Sequence, residues 1–447
     1  MTTFTATWQT LRDNFSPLRS PNFRIYIGGQ SISLVGTFLQ ITAQAWVVWQ
    51  LTHSEAALGI ASTLYALPLL LFSTYAGIWV DRLDRRKLLI GTQIGAMLLA
   101  FILAALTQTG LVQVWHIYVL SFLLGTVNVL DFPAQQAFLG DLTGMAEVRK
   151  AVNLNSTIVT VSRVLGPAVA GPVVARIGVA PAFWLNGLSF LAVIASLVVV
   201  RAVQQAKPPA NARQVKQIAE GINYLRNSPR LVDLFLFAIL LNFFVFSIFL
   251  NILPAVAGKL LTGDAETLGA LIASSGLGAL IAVVVIVPPA QARKRGGIVM
   301  LTALFWLAFW LTILAQSRVV GLSMAALFMA NVAVTTVLTM SMGLVQVMSP
   351  VDMRGRLMSL FLTIGLGTQP IAALWIGRLA QMMGVDTSIQ FNAILLAVGA
   401  VLMLVFRPAI LRYEYGQATS VQPAMKVAGV EDGEDMPNWT FAKTHGG

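Results

Sequence analysis

Apolar runs free of Asp, Glu, Lys and Arg recur along almost the whole chain, and short charged interruptions set their rhythm. A bilayer-spanning helix needs about 20 apolar residues. Runs at 25–52 and 56–80 meet that length; 88–130 is long enough for two, divided by the polar "TQTG" at 107–110. The runs 151–175, interrupted only by Arg163, and 177–200 complete a first set of six. A polar stretch over 201–230 follows, in which Ile218, Ile222 and Leu225 recur at helical spacing, the pattern of a short amphipathic helix at the membrane surface. A second set follows at 234–258, 267–292, 296–317, 319–351, 357–377 and 387–406. The pattern predicts an all-α membrane protein with twelve transmembrane helices in two six-helix pseudo-repeats. It divides the chain into an N-terminal half (1–203), a linker with an amphipathic helix (204–228), a C-terminal half (229–407) and a polar tail (408–447) expected to be mobile.

Composition sharpens this picture. Of the 447 residues 57% are hydrophobic and 11% charged, against the roughly 25% charged of soluble domains. The net charge of +11 sits between apolar runs, which points to membrane topology and away from nucleic acid. With both termini inside, the cytoplasmic segments hold most of the basic residues, and the opposite ends hold only Arg176, Lys259, Arg318 and Arg378. The absence of Cys excludes disulfides and thiolate chemistry. The three scattered His make no metal site, and no phosphate-binding loop or cofactor motif is present, so no enzyme activity and no cofactor are expected. The first apolar run is too long and too late for a cleaved signal.

The halves echo each other. "EVRKAVNLNSTIVTVSRVLGPAVAG" (147–171) and "DMRGRLMSLFLTIGLGTQPIAA" (352–373) each carry an acid, an Arg two residues later and a mid-span proline, Pro167 or Pro370. Each half also has a cationic cluster between its second and third spans, at 82–87 and 293–295. Doubled helical sets of this kind suggest a transporter with its site at the repeat interface. The first cluster, within "GIWVDRLDRRKLLIG" (77–91), serves as a topology anchor, but orientation needs only its basic residues and leaves Asp81 and Asp84 unexplained.

That stretch resembles the signature of the major facilitator superfamily, roughly G-x-x-x-D-R-x-x-R-R/K, at Gly77, Asp81, Arg82, Arg85 and Arg86, with departures at Trp79 and Asp84. Together with "DFPAQQAFL", "NSTIVTVSRVLGPAVAG" and "MRGRLMSL", it is similar to the bacterial export branch of enterobactin-exporter-like and macrolide-efflux-like proteins, over roughly residues 20–407. The resemblance implies the major facilitator fold, the bacterial inner membrane and alternating access. It implies a cytoplasmic gate of Asp81, Arg82, Arg85 and Arg86 facing Arg354 and Arg356 of the other half, with Arg85 and Arg86 tying the loop to neighbouring helix ends. Gly166, Pro167 and Gly171 match the end of the family's antiporter signature, while Ala170 and the residues upstream do not; there glycine and proline permit a bend and close helix approach, as in ordinary packing.

Polar residues within spans are costly, so they line cavities or join helices. Gln40 and Gln44, Asn128, Asn242 and Asn331, with Phe246 in the Phe-rich seventh run, are candidate substrate-cavity residues. Asp131 and Arg163 are the candidates for proton coupling or, equally, for a structural ion pair. The leading expectation is a monomeric, proton-driven exporter of a bulky amphiphilic, drug- or siderophore-like compound in contact with membrane lipids. A lipid or lysolipid translocator of the same fold and a non-transporting membrane sensor are the alternatives.

Overall fold

The computed structural model describes residues 15–144, 146–200, 214–292, 296–350 and 353–413; within these, the side chains of 73–78, 81, 214–219, 250, 292, 366 and 412 are not described. Twelve of its helices are long and apolar enough to cross a membrane. The first half comprises α1 (Pro21–Thr52), α2 (Glu55–Arg82), α3 (Arg85–Gln108), α4 (Val114–Thr143), α5 (Val148–Ile177) and α6 (Ala180–Val199). A linker helix (Gln214–Arg226) precedes α7, which starts at Pro229, and α8, which starts at Ala265. Then come α9 (Gly296–Gln316), α10 (Val320–Met348), α11 (Arg354–Met383) and α12 (Val385–Phe406).

Local chemistry fixes the ends. The side chains of Ser20, Ser54, Asp84 and Asp264 accept hydrogen bonds from backbone N–H groups three residues on and so cap α1, α2, α3 and α8. The long helices α5 and α11 both stop at a glycine of positive φ, Gly178 (89°) and Gly384 (90°), a conformation that L side chains resist. The fourth helix runs past the expected limit at residue 130 to Thr143, because the carboxylate of Asp131 is satisfied inside the protein and does not end the span.

The seventh helix departs from the expected regular span. It is α-helical over Pro229–Leu241 and then takes wide π turns over Asn242–Phe246, Ile248–Ile252 and Val256–Leu260. Pro254 has no N–H to continue the ladder. Asn242, Ser247 and Asn251 donate side-chain hydrogen bonds to the carbonyls of Ala238, Phe243 and Ser247, which replace ladder bonds in a region without water. The eighth helix has one such turn, Ala282–Ile286.

Packing repeats between the halves. In the first half α2 packs on α4, α6 on α1 and α3, α5 on α1, and α3 on α4; six positions later α8 packs on α10, α12 on α7 and α9, α11 on α7, and α9 on α10. The halves meet along α2–α11 and α5–α8. Gly59 follows the start of α2 at Glu55 by four residues, as Gly269 follows Ala265 in α8; Gly377 follows Arg354 by 23 residues, as Gly171 follows Val148. A Cβ on Gly59 would lie 2.5 Å from the Ala373 carbonyl oxygen, and one on Gly269 would lie 2.6 Å from that of Pro167. Small residues let the backbones approach this closely.

The end of the bundle that carries the 83–84 loop is called here the basic end, and the opposite end the far end. The glycine crossings lie toward the far end. There Glu55 Oε1 also accepts from Lys259 Nζ at 2.6 Å across the halves, and Lys259 sits 5.5 Å from the centre of the Trp49 ring. Deeper along the same seam, Thr63 Oγ1 donates to the Pro370 carbonyl at 3.0 Å. This conformation is thus sealed at its far end.

The first residues assigned to the tail are ordered against the bundle. Residues 408–413 form a short helical strap packed on the second half: Tyr413 Oη donates to the buried carboxylate of Asp233, Gly297 N donates to the Tyr413 carbonyl, and Ile410 and Tyr413 are buried. Burial, and next the bond to Asp233, push the Tyr413 hydroxyl pKa up. The "EDGED" tail segment, the 293–295 cluster, Asp352 and the linker before Gln214 lie outside the described residues.

Candidate functional site

The charged cluster at the basic end is tied within its own half. Arg85, 3% exposed, gives both bonds of one guanidinium nitrogen to Asp141 on α4 (2.7 and 2.9 Å), whose side chain is 4% exposed. Arg86 donates to the carbonyls of Leu197 and Val198, where α6 leaves carbonyls without intrahelical donors. Asp84 caps α3 through Lys87 N at 3.1 Å, and Arg82 is exposed. The side chain of Asp81 lies outside the described residues. On the other half Arg354 is exposed, while Arg356 pairs with Glu220 of the linker helix at 2.5 Å. Here Arg356 therefore pairs with the linker helix. The partner that sequence reasoning missed is Asp141; its only local signal was a second acid near the end of α4.

Mid-span in the same half is a chain of amides around one carboxylate. Asp131 is 6% exposed. Its Oδ1 accepts from Thr92 Oγ1 (2.6 Å) and Gln93 Nε2 (2.9 Å) on α3, and its Oδ2 accepts from Gln135 Nε2 on α4. The oxygen of Gln135 in turn accepts from Gln30 Nε2 on α1 at 3.2 Å. Gln135 is only partly buried, so it connects the sealed carboxylate to accessible space. All three direct partners of Asp131 are neutral donors, which stabilise a carboxylate without cancelling its charge. The oxygens of Gln30 and Gln93 are buried without a donor.

The suggested ion pair between Asp131 and Arg163 is not formed. Asp131 faces α3, whereas the Arg163 guanidinium lies 5.6 Å from the centre of the Phe38 ring on α1. A 100° turn per residue separates the faces of α5. Gly166 marks the edge against Phe38 and Leu39 of α1; Val164, Pro167 and Gly171 mark the edge against Gly276, Gly269 and Glu266 of α8. Arg163 falls between these edges, on the inward side, and is exposed there. The opposite arc is apolar, with Val161, Leu165 and Val169 exposed on it as a lipid-facing surface. Gly166, Pro167 and Gly171 thus serve close approach, within a helix that runs unbroken from Val148 to Ile177.

Most of the candidate cavity amides join helices instead. Gln40 is buried and accepts from Asn186 of α6 at 2.7 Å; Asn331 donates to the hydroxyl and carbonyl of Ser275 on α8 (2.7 and 2.8 Å). Asn242 is buried and spent on its own helix, against Gly365 of α11. These are corrections for Gln40 and Asn242, whose helix faces turn toward neighbours. Gln44, bonded to Ser121, Asn128, bonded to the Tyr65 hydroxyl, and Asn331 stay partly accessible. Phe246 is half-buried, and one turn away Phe243 packs on Phe244 (5.0 Å) and Trp375 (6.0 Å). Phe132, beside Asp131, is 62% exposed between the α4 edges set by Gly125 against α2 and Gln135 toward α1. Among the described residues no group of three or more His, Cys, Asp or Glu could hold a metal ion.

The sequence model of a family described as "transmembrane secretion effector" matches residues 12–428. The chain is 27% identical over 401 residues to an enterobactin exporter of Shigella boydii, covering 88% of this chain and 94% of that protein. It is 26% identical over 265 residues to a staphyloferrin A transporter of Staphylococcus aureus, covering 59% of this chain and 66% of that protein, just under two thirds of its length. Among solved structures, the fold is similar to a bacterial homologue of the human lysosomal transporter Spinster in an inward-facing, unoccupied conformation: TM-score 0.67, 13% identity, 89% of this chain and 99% of that one. A D-xylose–proton symporter aligns with TM-score 0.66 at 14% identity, over 86% and 99% of the two chains.

Proposed function

The chain belongs to the transmembrane secretion effector family of major facilitator transporters, and on that premise we propose that it is a proton-driven exporter of a bulky amphiphilic, siderophore-like compound. In this reading the basic end, which holds most of the basic residues, faces the cytoplasm, and the sealed far end faces away from it. The observation that carries the reading is Asp131: a mid-span carboxylate held by three neutral donors, with no cation paired to it among the described residues, and reached through a partly buried glutamine. An isolated charge at the bilayer centre costs about 2.5–3.5 kcal/mol on insertion scales. Whether Asp131 carries a proton is therefore linked to how well the surrounding helices seal it, and alternating access changes that seal. The apolar and aromatic accessible surfaces, Phe132, Phe243 and Phe246, suit an amphiphilic cargo, and the two named relatives are an enterobactin exporter and a staphyloferrin A transporter.

The test is transport in proteoliposomes under an imposed proton gradient. Asp131→Asn keeps the shape and accepts or donates hydrogen bonds but cannot titrate. It is expected to lose uphill accumulation while still exchanging substrate down its gradient. Retained uphill transport in that variant would remove Asp131 as the essential carrier. Stimulation by lipids alone, without compound flux, would favour a lipid translocator.

A further inference from the structure

Arg163 is a guanidinium that cannot shed its charge, placed sixteen residues into the thirty of α5, with no acidic partner among the described residues. Such a charge is expensive at mid-span unless something pairs with it. The protein supplies an aromatic face, the ring of Phe38, and leaves Arg163 exposed. Thr160 and Ser156 stand three and seven residues before Arg163, on the same inward arc between α1 and α8. Their hydroxyl hydrogens go to backbone carbonyls of α5, at Ser156 and Val152, so their oxygens face the cleft as acceptors. The arc therefore presents one cation, one aromatic face and two acceptors, while at the same depth the opposite arc carries the apolar side chains of Ile158, Val161, Leu165 and Val169.

We propose that Arg163, seated on Phe38, is the anion-recognition subsite of the transport cleft, taking the carboxylate of an aryl-bearing amphiphilic acid. The fork of the guanidinium matches a carboxylate with two parallel bonds, and the aromatic face beside it favours a cation at this position. Thr160 and Ser156 accept from donor groups of the same molecule about 5–10 Å further toward the basic end, at the rise of an α-helix. A bilayer phosphate does not compete at this depth, since headgroups remain at the membrane surface. The assignment rests on the exporter reading, deepens it by naming the substrate's charge, and moves Arg163 from proton coupling to substrate recognition. It also divides the work within one half: Asp131, turned to α3, handles the ion, and Arg163, turned to the cleft, handles the cargo.

The test compares two probes of nearly equal shape, N-dansyl-phenylalanine and its methyl ester, binding to the full-length protein in nanodiscs by dansyl fluorescence. The wild type should prefer the acid by about tenfold, the effect of one good charge-assisted pair. In Arg163→Gln the acid-to-ester ratio should fall to about one, and in Arg163→Lys it should lie between, because a point charge replaces a fork. Arg163→Lys keeps the charge and should retain part of the preference, which separates loss of the subsite from loss of folded protein. Equal affinities in the wild type, or a tenfold preference that survives in Arg163→Gln, would overturn the subsite and leave the exporter reading standing. Failure of the wild type to bind or move any amphiphile, acid or ester, would overturn both.

Discussion

The two halves share one packing plan and differ in what they put inside it. The first half builds regular helices around ionisable and amide groups: Asp131 with Thr92, Gln93, Gln135 and Gln30, and Arg163 beside the ring of Phe38. The second half, among the described residues, carries no Asp, Glu, Lys or Arg at mid-span and instead bends the rules of its backbone, with wide turns in α7 and α8. Duplicated architecture therefore does not mean duplicated chemistry. Charge needs a rigid, hydrogen-bonded shell, whereas π turns trade ladder bonds for local freedom and often mark functional positions. One half holds fixed chemistry; the other offers an aromatic wall on a backbone that can adjust.

The basic ends give the sharpest contrast. Both halves bury one carboxylate there, Asp141 beside the equally buried Arg85, and Asp233 beside Tyr413 and the half-exposed Arg407. Arg85→Ala leaves the Asp141 carboxylate buried without that guanidinium and should cost ~3–5 kcal/mol. Tyr413→Phe removes one neutral donor and should cost ~1–3 kcal/mol. Denaturation midpoints in detergent would rank them. Equal losses would mean that the strap at 408–413 matters as much as the buried ion pair, and that the halves are anchored alike.

The glycine crossings test the symmetry itself. Gly59→Ala and Gly269→Ala each drive a methyl group into a backbone carbonyl of the other half. Each should weaken the far-end seal by roughly 1–3 kcal/mol, as overpacking does, and shift the protein toward a far-end-open state. The chain has no cysteine, so the labelling rate of a single Ala56→Cys reporter reads the seal. Similar increases from both variants support pseudo-symmetric hinging; an effect from only one would show that a single seam controls closure.

The smallest expected effect separates the residues that precede α5 and α11. Glu147 and Met353 occupy the same position and nearly the same backbone conformation. Hydrogen bonds from Ser16, then from Lys150, hold the Glu147 carboxyl below its ordinary value of 4.5. A depressed carboxyl stabilises the fold above its unfolded value and loses that contribution as pH falls through the folded one. Below about pH 4.5 the tether to Ser16 should loosen, so backbone hydrogen exchange over 16–20 should accelerate, corrected for the intrinsic rate, while that over 353–357 should not. Parallel acceleration of both segments would point to general acid unfolding.

What the sequence determined by itself follows from local physics. Twelve spans and the doubled plan are written in run length, because a bilayer demands a fixed length of apolar helix whatever the neighbours do. The capping residues Ser54, Asp84 and Asp264 mark helix starts through bonds to residues three positions away. The identity of each polar partner was decided only by the tertiary structure. Gln40 turned to Asn186 and Asn331 to Ser275 because one residue of shift rotates a side chain by 100°, and which helix lies in that direction is set by packing across the bundle. The same rotation sent Asp131 toward α3 and Arg163 toward Phe38 of α1, although adjacent helices carry them. The π turns of α7 were illegible for a different reason: they preserve hydrophobicity and depend on which side chain satisfies each carbonyl once the ladder slips. Hydropathy is a property of a residue and its neighbours in sequence; a hydrogen-bond partner a hundred or more residues away, as Asn186 is to Gln40, exists only once the chain is folded.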